Sequence, residues 1–466
     1  MLQPQQRTTS TNKVRRDVLG GKRGDGQKRN RRVRRANAAT IHAGAHDDSL
    51  TSVAGLVPFG AFLKREDVDR ELKSLFFGLK GGSGVVYPME AQMRLLIDAA
   101  AVGEHRVFGL EALAGDPLFV KLAGGVIPSI DTVYRDLRRF DVDSNDALEE
   151  MMSRRGLKEV AELTAREIHI DIDSTVETVF GNQEGAAVGY NPRNHGRPSY
   201  HPILAVVAET GTCVGAVLRP GDFGFGENEA SLIGYYAKRV IDNAPVGSIV
   251  TTRIDVAGDC AEILAALDDA GSFFVVKARL TKDLLGAITL VQKWKTVDED
   301  AFGEPLVQVA ELDLQREGWG KLGKSFRVVV VRRRDRDNGK QALLWDGLDF
   351  SAQAFITNNR IAAAEDVVAE YDGRAEVEPR IAELKGFGLA KVPSSDFEAN
   401  HAAFLLKLLA FNLLRRYVRC CAPDLKPWGT QWIIQALLRV PGRLTTSAGQ
   451  TSLHVRSDSA VAPLLN

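Results

Sequence analysis

The sequence predicts an α/β protein, in which a helical domain precedes a β-rich core that is interrupted by an all-β insertion. Two patterns carry this prediction. Residues 52–156 place apolar side chains three or four positions apart without a long β-branched run, as amphipathic helices do. The chain then changes abruptly at Glu167–Thr175, where Ile168, Ile170 and Ile172 alternate with polar residues. Strict alternation of this kind predicts a strand that is buried on one face.

The composition is that of a soluble globular protein, and its 466 residues allow two or three domains. No apolar run reaches the length of a membrane span, and the N-terminus lacks the apolar segment of a secretory signal. We therefore expect no membrane association and a cytoplasmic, nucleoid-associated protein. The four cysteines lack zinc-binding spacing, so neither a disulfide framework nor a structural zinc site is predicted.

Positive charge is concentrated at the N-terminus, although the whole chain is neutral. Residues 1–36 hold 12 Lys and Arg side chains against 2 Asp, a net charge of +10. Blocks of like charge stay disordered and often bind nucleic acid by releasing counterions from its phosphates. We predict a basic disordered arm over residues 1–50 that binds DNA. The alternative is a tail that only improves solubility.

A helical DNA-binding domain is predicted over residues 51–160. Within it, Pro128-Ser129 forms a turn and N-cap before an arginine-rich helix that begins near Asp131. This arrangement resembles a helix-turn-helix, in which Arg135 and Arg138 would contact DNA. An ordinary pair of antiparallel helices with a basic face is the alternative.

The order of the elements that follow defines the core. After the first strand the pattern predicts, in turn, strands over 203–208 and 213–218, a helix over 229–243, a strand over 248–255, a helix over 260–270 and a strand over 272–277. This order is that of a ribonuclease H-like core, whose first part we assign to residues 161–280. A β-rich insertion over 281–360, the second part of the core over 361–420 and a C-terminal segment over 421–466 complete the plan.

Three carboxylates are candidates for a metal site. Asp173 and Asp255 end the first and fourth core strands, which are neighbours in such a sheet, and Glu378 follows the insertion. Two carboxylates about 4 Å apart repel by about 4 kcal/mol at an effective dielectric near 20, so the cluster needs cations. Oxygen ligands favour Mg²⁺ or Mn²⁺, two ions per site, and such a pair suits phosphodiester chemistry. Asp171 and Asp259 compete with Asp173 and Asp255 respectively.

A second set of polar residues surrounds the third carboxylate. Read as one helix, the chain places Tyr371, Arg374, Glu378 and Lys385 on a single face. Tyr371 and the two cations suit contacts to a DNA backbone beside a metal. Pro379 directly follows Glu378, so the helix either kinks at Glu378 or begins there.

The Tyr-Arg-Glu-Lys spacing is similar to the signature helix of bacterial insertion-sequence transposases of the DDE type. Further motifs resemble the transposase DDE group 1 family, among them Asp171-Ile-Asp173-Ser-Thr-Val, Gly196-Arg-Pro-Ser-Tyr-His-Pro202, Glu383-Leu-Lys385 and Leu409-Ala-Phe-Asn412. The family places a Thr two residues after its catalytic Asp, which favours Asp173. Where its pattern reads Arg-x-Asp-Ser-Gly-Phe, this chain reads Arg253-Ile-Asp255-Val-Ala-Gly-Asp259.

The resemblance implies a cut-and-paste DNA transposase that binds terminal inverted repeats as a homodimeric synaptic complex. It implies that Asp173, Asp255 and Glu378 are the catalytic metal ligands. Two alternatives are a catalytically inactive relative that only binds double-stranded DNA, and a non-transposing nuclease on the same fold.

Two further groups could contact DNA. Arg193 and Arg197, with His195 between them, lie in a polar loop between the first two strands, which either binds a DNA end or is only structural. Trp294 and Trp319, in the insertion, either stack on an unpaired base or pack in the core.

Overall fold

The structure of the protein, a computed structural model, describes residues 47–334 and 350–465, without the side chains of residues 375–378. The predicted basic arm lies outside these residues, except for its last few positions. The chain divides into two compact units. One comprises the residues up to Phe140 together with Gly386–Pro393 and Leu413–Asn466, and the other comprises Asp141–Lys385 and Ser394–Asn412.

Helices and strands are labelled here in chain order over the described residues. The helices are α1 (Leu56–Arg65), α2 (Val68–Phe76), α3 (Met89–Ala101), α4 (Leu110–Leu113), α5 (Pro117–Leu122), α6 (Ile130–Leu137), α7 (Val142–Ala161), α8 (Ala230–Asn243), α9 (Ala261–Asp269), α10 (Lys282–Thr289), α11 (Glu317–Lys321), α12 (Ala364–Asp372), α13 (Val377–Gly386), α14 (Phe397–Cys421) and α15 (Thr430–Ile433). The strands are β1 (Leu50–Thr51), β2 (Glu167–Ser174), β3 (Glu177–Thr178), β4 (Ala187–Val188), β5 (Pro198–Tyr200), β6 (Ile203–Val207), β7 (Thr212–Val217), β8 (Ile249–Ile254), β9 (Phe273–Lys277), β10 (Lys295–Glu299), β11 (Pro305–Leu312), β12 (Arg327–Arg334), β13 (Phe350–Thr357), β14 (Gly442–Ser447) and β15 (Gln450–Val455).

The first unit is mainly helical, with a small sheet of order β1-β14-β15. Its arginine-rich helix α6 begins as the sequence predicts, because the Ser129 hydroxyl accepts a hydrogen bond from the Thr132 N–H at 3.3 Å. The buried Asp136 carboxylate on α6 accepts hydrogen bonds from Lys80 and Gln92, which ties this helix to α3 and the segment before it. The C-terminal segment belongs to this unit, whereas α7, which the sequence places in the helical domain, belongs to the other.

The second unit is built on one sheet of order β10-β11-β12-β13-β9-β8-β2-β6-β7. β2 pairs antiparallel with β6 and parallel with β8, and β9 continues parallel to β8. The predicted alternation of β2 is present, because Ile168, Ile170 and Ile172 are buried in the core below α8 and α9. The polar residues of β2 consequently face the opposite side of the sheet, where α12 packs through Val367 and Val368.

The segment over 281–360 needs a correction, since it is not all-β. Its strands β10–β13 extend the same sheet beyond β9. It also contains α10 and α11. Leu284 and Ile288 of α10 are buried four residues apart, and the Thr281 side chain caps that helix by accepting from the Leu284 N–H. None of the helices within 47–334 and 350–465 combines the length and apolarity of a membrane span.

Candidate active site

Strand register brings Asp173 and Asp255 together. Ile172 of β2 lies opposite Ile254 of β8 in the parallel ladder; Asp173 is the next residue of β2, and Asp255 directly follows the end of β8. Neighbouring strands are about 4.8 Å apart, so the two carboxyl groups project from adjacent positions at one end of the sheet. The Asp255 carboxylate also accepts a hydrogen bond from the Ala257 N–H at 2.9 Å, which shapes the 3-10 turn that follows β8.

The charge of this pair is not balanced by its surroundings. Burial and, to a smaller extent, the neighbouring Asp255 charge raise the pKa of Asp173 to about 6, although Arg374 opposes both effects. A carboxylate with so high a pKa carries negative charge that its surroundings only partly stabilise. A cation placed between the two carboxylates would remove that penalty.

Arg374 is the cation that the chain itself supplies. Its guanidinium Nη2 lies 3.0 Å from the Asp173 Oδ2 atom, and the residue is only 9% exposed. The Arg374 guanidinium also interacts electrostatically with the Tyr371 hydroxyl, and the Tyr371 ring packs on Phe355 with the centroids 4.6 Å apart. Tyr371 therefore holds the guanidinium against the carboxylate pair.

Asp171 is already committed to a different partner. Arg253 Nε and Nη2 donate to the two oxygens of Asp171 at 2.7 and 2.8 Å, and both residues are buried. A bidentate pair of this kind satisfies the carboxylate and orders both side chains. Asp173, whose side chain is 20% exposed, is the more available of the two rivals.

The rival to Asp255 is also engaged. Asp259 accepts from Arg316 Nη1 at 2.5 Å and from the Arg279 N–H at 2.6 Å. Its side chain is almost fully buried in that pair. Asp255 therefore remains the carboxylate beside Asp173. Asp259 instead attaches the turn that follows β8 to Arg316, just before α11, and to Arg279, after β9.

Glu378 lies in the first turn of α13, which begins at Val377 after a 3-10 turn over Gly373–Glu376. Pro379 therefore occupies a position whose N–H has no partner within the helix, and it costs no backbone hydrogen bond. The sequence allows a helix that kinks at Glu378 or one that begins there. The structure shows that the helix begins at this point. The side chain of Glu378 lies outside the described residues. Tyr371 and Arg374 precede α13, so they do not share a helix face with Lys385 as the single-helix reading predicts.

Lys385 lies near the end of α13, beside the start of β3. Its ammonium donates to the Val176 carbonyl at 3.4 Å and lies 3.7 Å from the buried Glu177 carboxylate. Val176 is three residues beyond Asp173, so Lys385 reaches the chain that leaves the carboxylate pair.

The other predicted DNA contacts differ in their exposure. Arg193 and Arg197 are exposed in the loop before β5, and Arg135 and Arg138 are exposed on and just after α6 in the first unit.

Trp294 and Trp319, in the segment over 281–360, are covered instead. Trp319 is 1% exposed in the core, and the half-buried Trp294 is capped by the Arg332 guanidinium, 4.1 Å from its ring centroid. Of the two readings of Trp319, core packing is therefore the correct one.

Two residues that organise the site, His169 and Arg253, are not among the site residues predicted from the sequence. His169 lies on the same face of β2 as Asp171 and Asp173, and its ring contacts Glu209 at 2.5 Å and Glu370 at 2.8 Å. Burial alone would lower the pKa of His169, but the two carboxylates raise it to about 9. Arg253, which binds Asp171, also donates to the Glu370 carbonyl at 3.2 Å. The alternation of β2 is the signal that could have identified His169.

The donor set fits a divalent metal ion. Among the side chains that the structure describes, no three His, Cys, Asp or Glu side chains form a metal-binding cluster. The pair of Asp173 and Asp255 has the hard oxygen ligands that Mg²⁺ and Mn²⁺ prefer, and its uncompensated charge favours a cation. A third carboxylate would complete the set.

These features define an α/β protein with an acidic site at the end of its central parallel strands, bordered by buried and half-buried cations. The chain belongs to the family described as transposase DDE domain group 1, which matches residues 33–466. No curated protein matches the chain in sequence. Among solved structures, it is similar to a piggyBac transposase in a synaptic complex with hairpin DNA, determined by cryo-EM. That likeness has a TM-score of 0.43 and 12% sequence identity, over 82% of this chain and 79% of the other.

Proposed function

We propose that the protein is a DNA transposase that binds the terminal inverted repeats of a bacterial insertion sequence and catalyses metal-dependent DNA cleavage and strand transfer. Membership of the DDE transposase family supports the general class. The observation that carries the specific proposal is the pairing of Asp173 with Asp255 at the end of neighbouring parallel strands, with Arg374 against Asp173. A cut-and-paste reaction by a homodimeric synaptic complex is the form that we propose.

The proposal assigns a ribonuclease H-like core to the second unit. Across the sheet, β7-β6-β2-β8-β9 are the third, second, first, fourth and fifth core strands in chain order. The strands β2, β6 and β7 pair antiparallel, and β8 and β9 run parallel to β2. Residues 281–360, between β9 and α12, are the proposed insertion into this core.

Asp173, Asp255 and Glu378 are the proposed ligands of two Mg²⁺ ions, for which Mn²⁺ would substitute. When bound, the ions would activate a water or a 3′-hydroxyl and stabilise the leaving oxygen in an in-line displacement at phosphorus. Ligation needs Asp173 ionised, which its pKa of about 6 permits at neutral pH.

The cations around the carboxylates would position the DNA strand. Arg374, held by Tyr371, presents a planar guanidinium that can contact a phosphate next to Asp173. Lys385 would contact the backbone on the side of β3. Arg135, Arg138, Arg193 and Arg197 are proposed to bind phosphates away from the reacting bond, which contributes affinity with little sequence information.

Purified protein mixed with a plasmid that carries the element's ends, in Mg²⁺ and in Mn²⁺, tests this function. We expect double-strand excision and joining of 3′ ends into a target plasmid by the wild type, and neither by Glu378→Gln. Asp313→Asn, which changes an exposed carboxylate between β11 and α11, is the matched control and should retain both activities. Cleavage without joining would favour a nuclease, and binding without cleavage would favour an inactive relative.

A further inference from the structure

The small sheet of order β3-β5-β4 follows directly from the candidate active site and displays exposed aromatic rings. β3 pairs with β5 through Thr178 opposite Ser199, and the Val179 N–H continues the ladder by donating to the Pro198 carbonyl at 3.0 Å. Phe180 directly follows Val179, and its side chain is 79% exposed rather than buried in a core.

Two further aromatic residues come from loops whose backbones touch. A Cβ atom on Gly189 would lie 1.9 Å from the Gly221 carbonyl oxygen, so only glycine permits this approach. The His201 ring, which is buried, lies close to the backbone of both Tyr190 and Phe223. Tyr190 is 76% exposed and Phe223 is 48% exposed. The two rings are thus anchored through their backbones and left open to solvent.

The loop that carries the arginines is also ordered. Asn191 and Asn194 both donate to the Thr178 hydroxyl, at 3.0 and 3.2 Å, and the Asn194 N–H donates to the Asn191 side chain at 3.1 Å. The Arg197 N–H in turn donates to the Asn194 carbonyl. This network closes the loop around a buried asparagine, so Arg193 and Arg197 project from a pre-organised backbone.

We call Phe180, Tyr190, Phe223, Arg193 and Arg197 the aromatic–arginine patch. Exposed aromatic rings lose the free energy that burial would give them, so a group of them on an ordered surface indicates a ligand. Base faces stack on aromatic rings while guanidinium groups bind the linking phosphates, which is how proteins hold unpaired nucleic acid. The net positive charge of its two arginines suits a phosphate backbone and disfavours a cationic partner.

The patch is also close in the chain to the candidate active site. β3 begins at Glu177, four residues after Asp173, and Lys385 contacts both Val176 and Glu177 at its start. We propose that the aromatic–arginine patch stacks unpaired bases at the DNA end, next to the phosphodiester that reacts. This inference rests on the proposed function and adds the single-stranded character of the DNA that the site holds.

A fluorescence measurement without metal tests the patch separately from catalysis. Full-length protein in EDTA is titrated into DNA with an end carrying two unpaired nucleotides, one of them 2-aminopurine, whose emission falls when it stacks. We expect the wild type and Tyr190→Phe to reduce the emission. Phe180→Ala and Tyr190→Ala should bind this DNA about tenfold more weakly and reduce the emission less, because each stacked base contributes measurably to affinity.

Phe302→Ala is the matched control, because Phe302 is 92% exposed in the turn between β10 and β11, outside the patch. If Phe180→Ala and Tyr190→Ala behave like Phe302→Ala while their thermal unfolding equals that of the wild type, the patch does not stack bases and the inference is wrong. If the emission changes as expected but the wild type neither cleaves nor joins DNA in Mg²⁺ or Mn²⁺, the inference stands and the proposed function fails.

Discussion

Asp171 and Asp173 lie two residues apart on one face of β2, yet they differ in their surroundings. Both oxygens of Asp171 accept hydrogen bonds from Arg253. Asp173 is partly exposed, lies beside Asp255 and has one contact with Arg374. Identical side chains thus have different roles, because the first is paired within the fold and the second is available to a ligand. Substitution of each residue separates the two roles.

We expect Asp171→Asn to destabilise the protein by about 3–5 kcal/mol, because it leaves the buried Arg253 guanidinium without its counter-charge. Urea unfolding measures this change. Asp173→Asn should abolish cleavage and retain folding. A cleavage defect in Asp171→Asn without loss of stability, together with an active Asp173→Asn, would reverse the assignment.

The pKa of Asp173 gives a second expectation at the residue scale. Since it is raised from 3.8 to about 6, the folded state favours the protonated carboxyl, and the stability that this contributes is lost as the pH rises from about 4 to 6. Asp173→Asn should remove that dependence and raise the free energy of unfolding at pH 7.5 by about 1–2 kcal/mol. Urea unfolding of both proteins at pH 5 and 7.5 checks it, and equal differences at both values would contradict it.

At the scale of elements, the end of α12 is attached to the sheet from two strands. His169 of β2 binds the Glu370 carboxylate, and Arg253 of β8 binds the Glu370 carbonyl. The 3-10 turn that carries Arg374 follows directly, so these contacts position Arg374 without touching the reacting atoms. Each attachment can be weakened separately.

The His169 attachment should depend on pH. Its pKa is raised from 6.5 to about 9, so its stabilisation is complete below pH 6.5 and is lost as the pH rises to about 9. The wild type should lose about 2–3 kcal/mol over this interval relative to His169→Gln, because one pKa unit corresponds to about 1.36 kcal/mol. Urea unfolding at pH 6 and pH 9.5 measures the difference, and parallel pH curves for the two proteins would disprove the attachment.

The turn after β8 depends in the same way on the segment between β11 and α11, which contains Arg316. Arg316 binds Asp259 and stacks on Trp319, with its guanidinium 5.1 Å from the ring centroid. We expect Arg316→Ala to lower the cleavage rate about tenfold, since displacing a positioned group by even a small distance is costly, and to leave DNA affinity unchanged. Arg360→Ala, which removes a guanidinium that binds the Ser325 carbonyl, is the control. Equal rates for the two variants would contradict this role.

For the whole molecule, local patterns predicted β2 with its polar face, β8 and the cap of α6, and the order of the elements, read as that of a ribonuclease H-like core, predicted that Asp173 and Asp255 are adjacent. They could not predict the pairing of Asp171 with Arg253, because the two residues are 82 positions apart and meet only through the register of β2 and β8. They also missed α10 and the continuation of the sheet through β13, since a short helix among strands is decided by long-range packing. The contact between His169 and Glu370 could not be predicted either, because it also depends on long-range packing.

In the proposed mechanism, Asp173 and Asp255 together bind the divalent ions that support DNA cleavage. The most direct test is the amount of Mn²⁺ bound by the protein–DNA complex, measured by electron paramagnetic resonance, for the wild type, Asp173→Asn, Asp255→Asn and the control Asp313→Asn. We expect the wild type and the control to bind two ions per active site, and each site variant to lose at least one of them together with cleavage. Undiminished Mn²⁺ binding and cleavage in both site variants would contradict the claim.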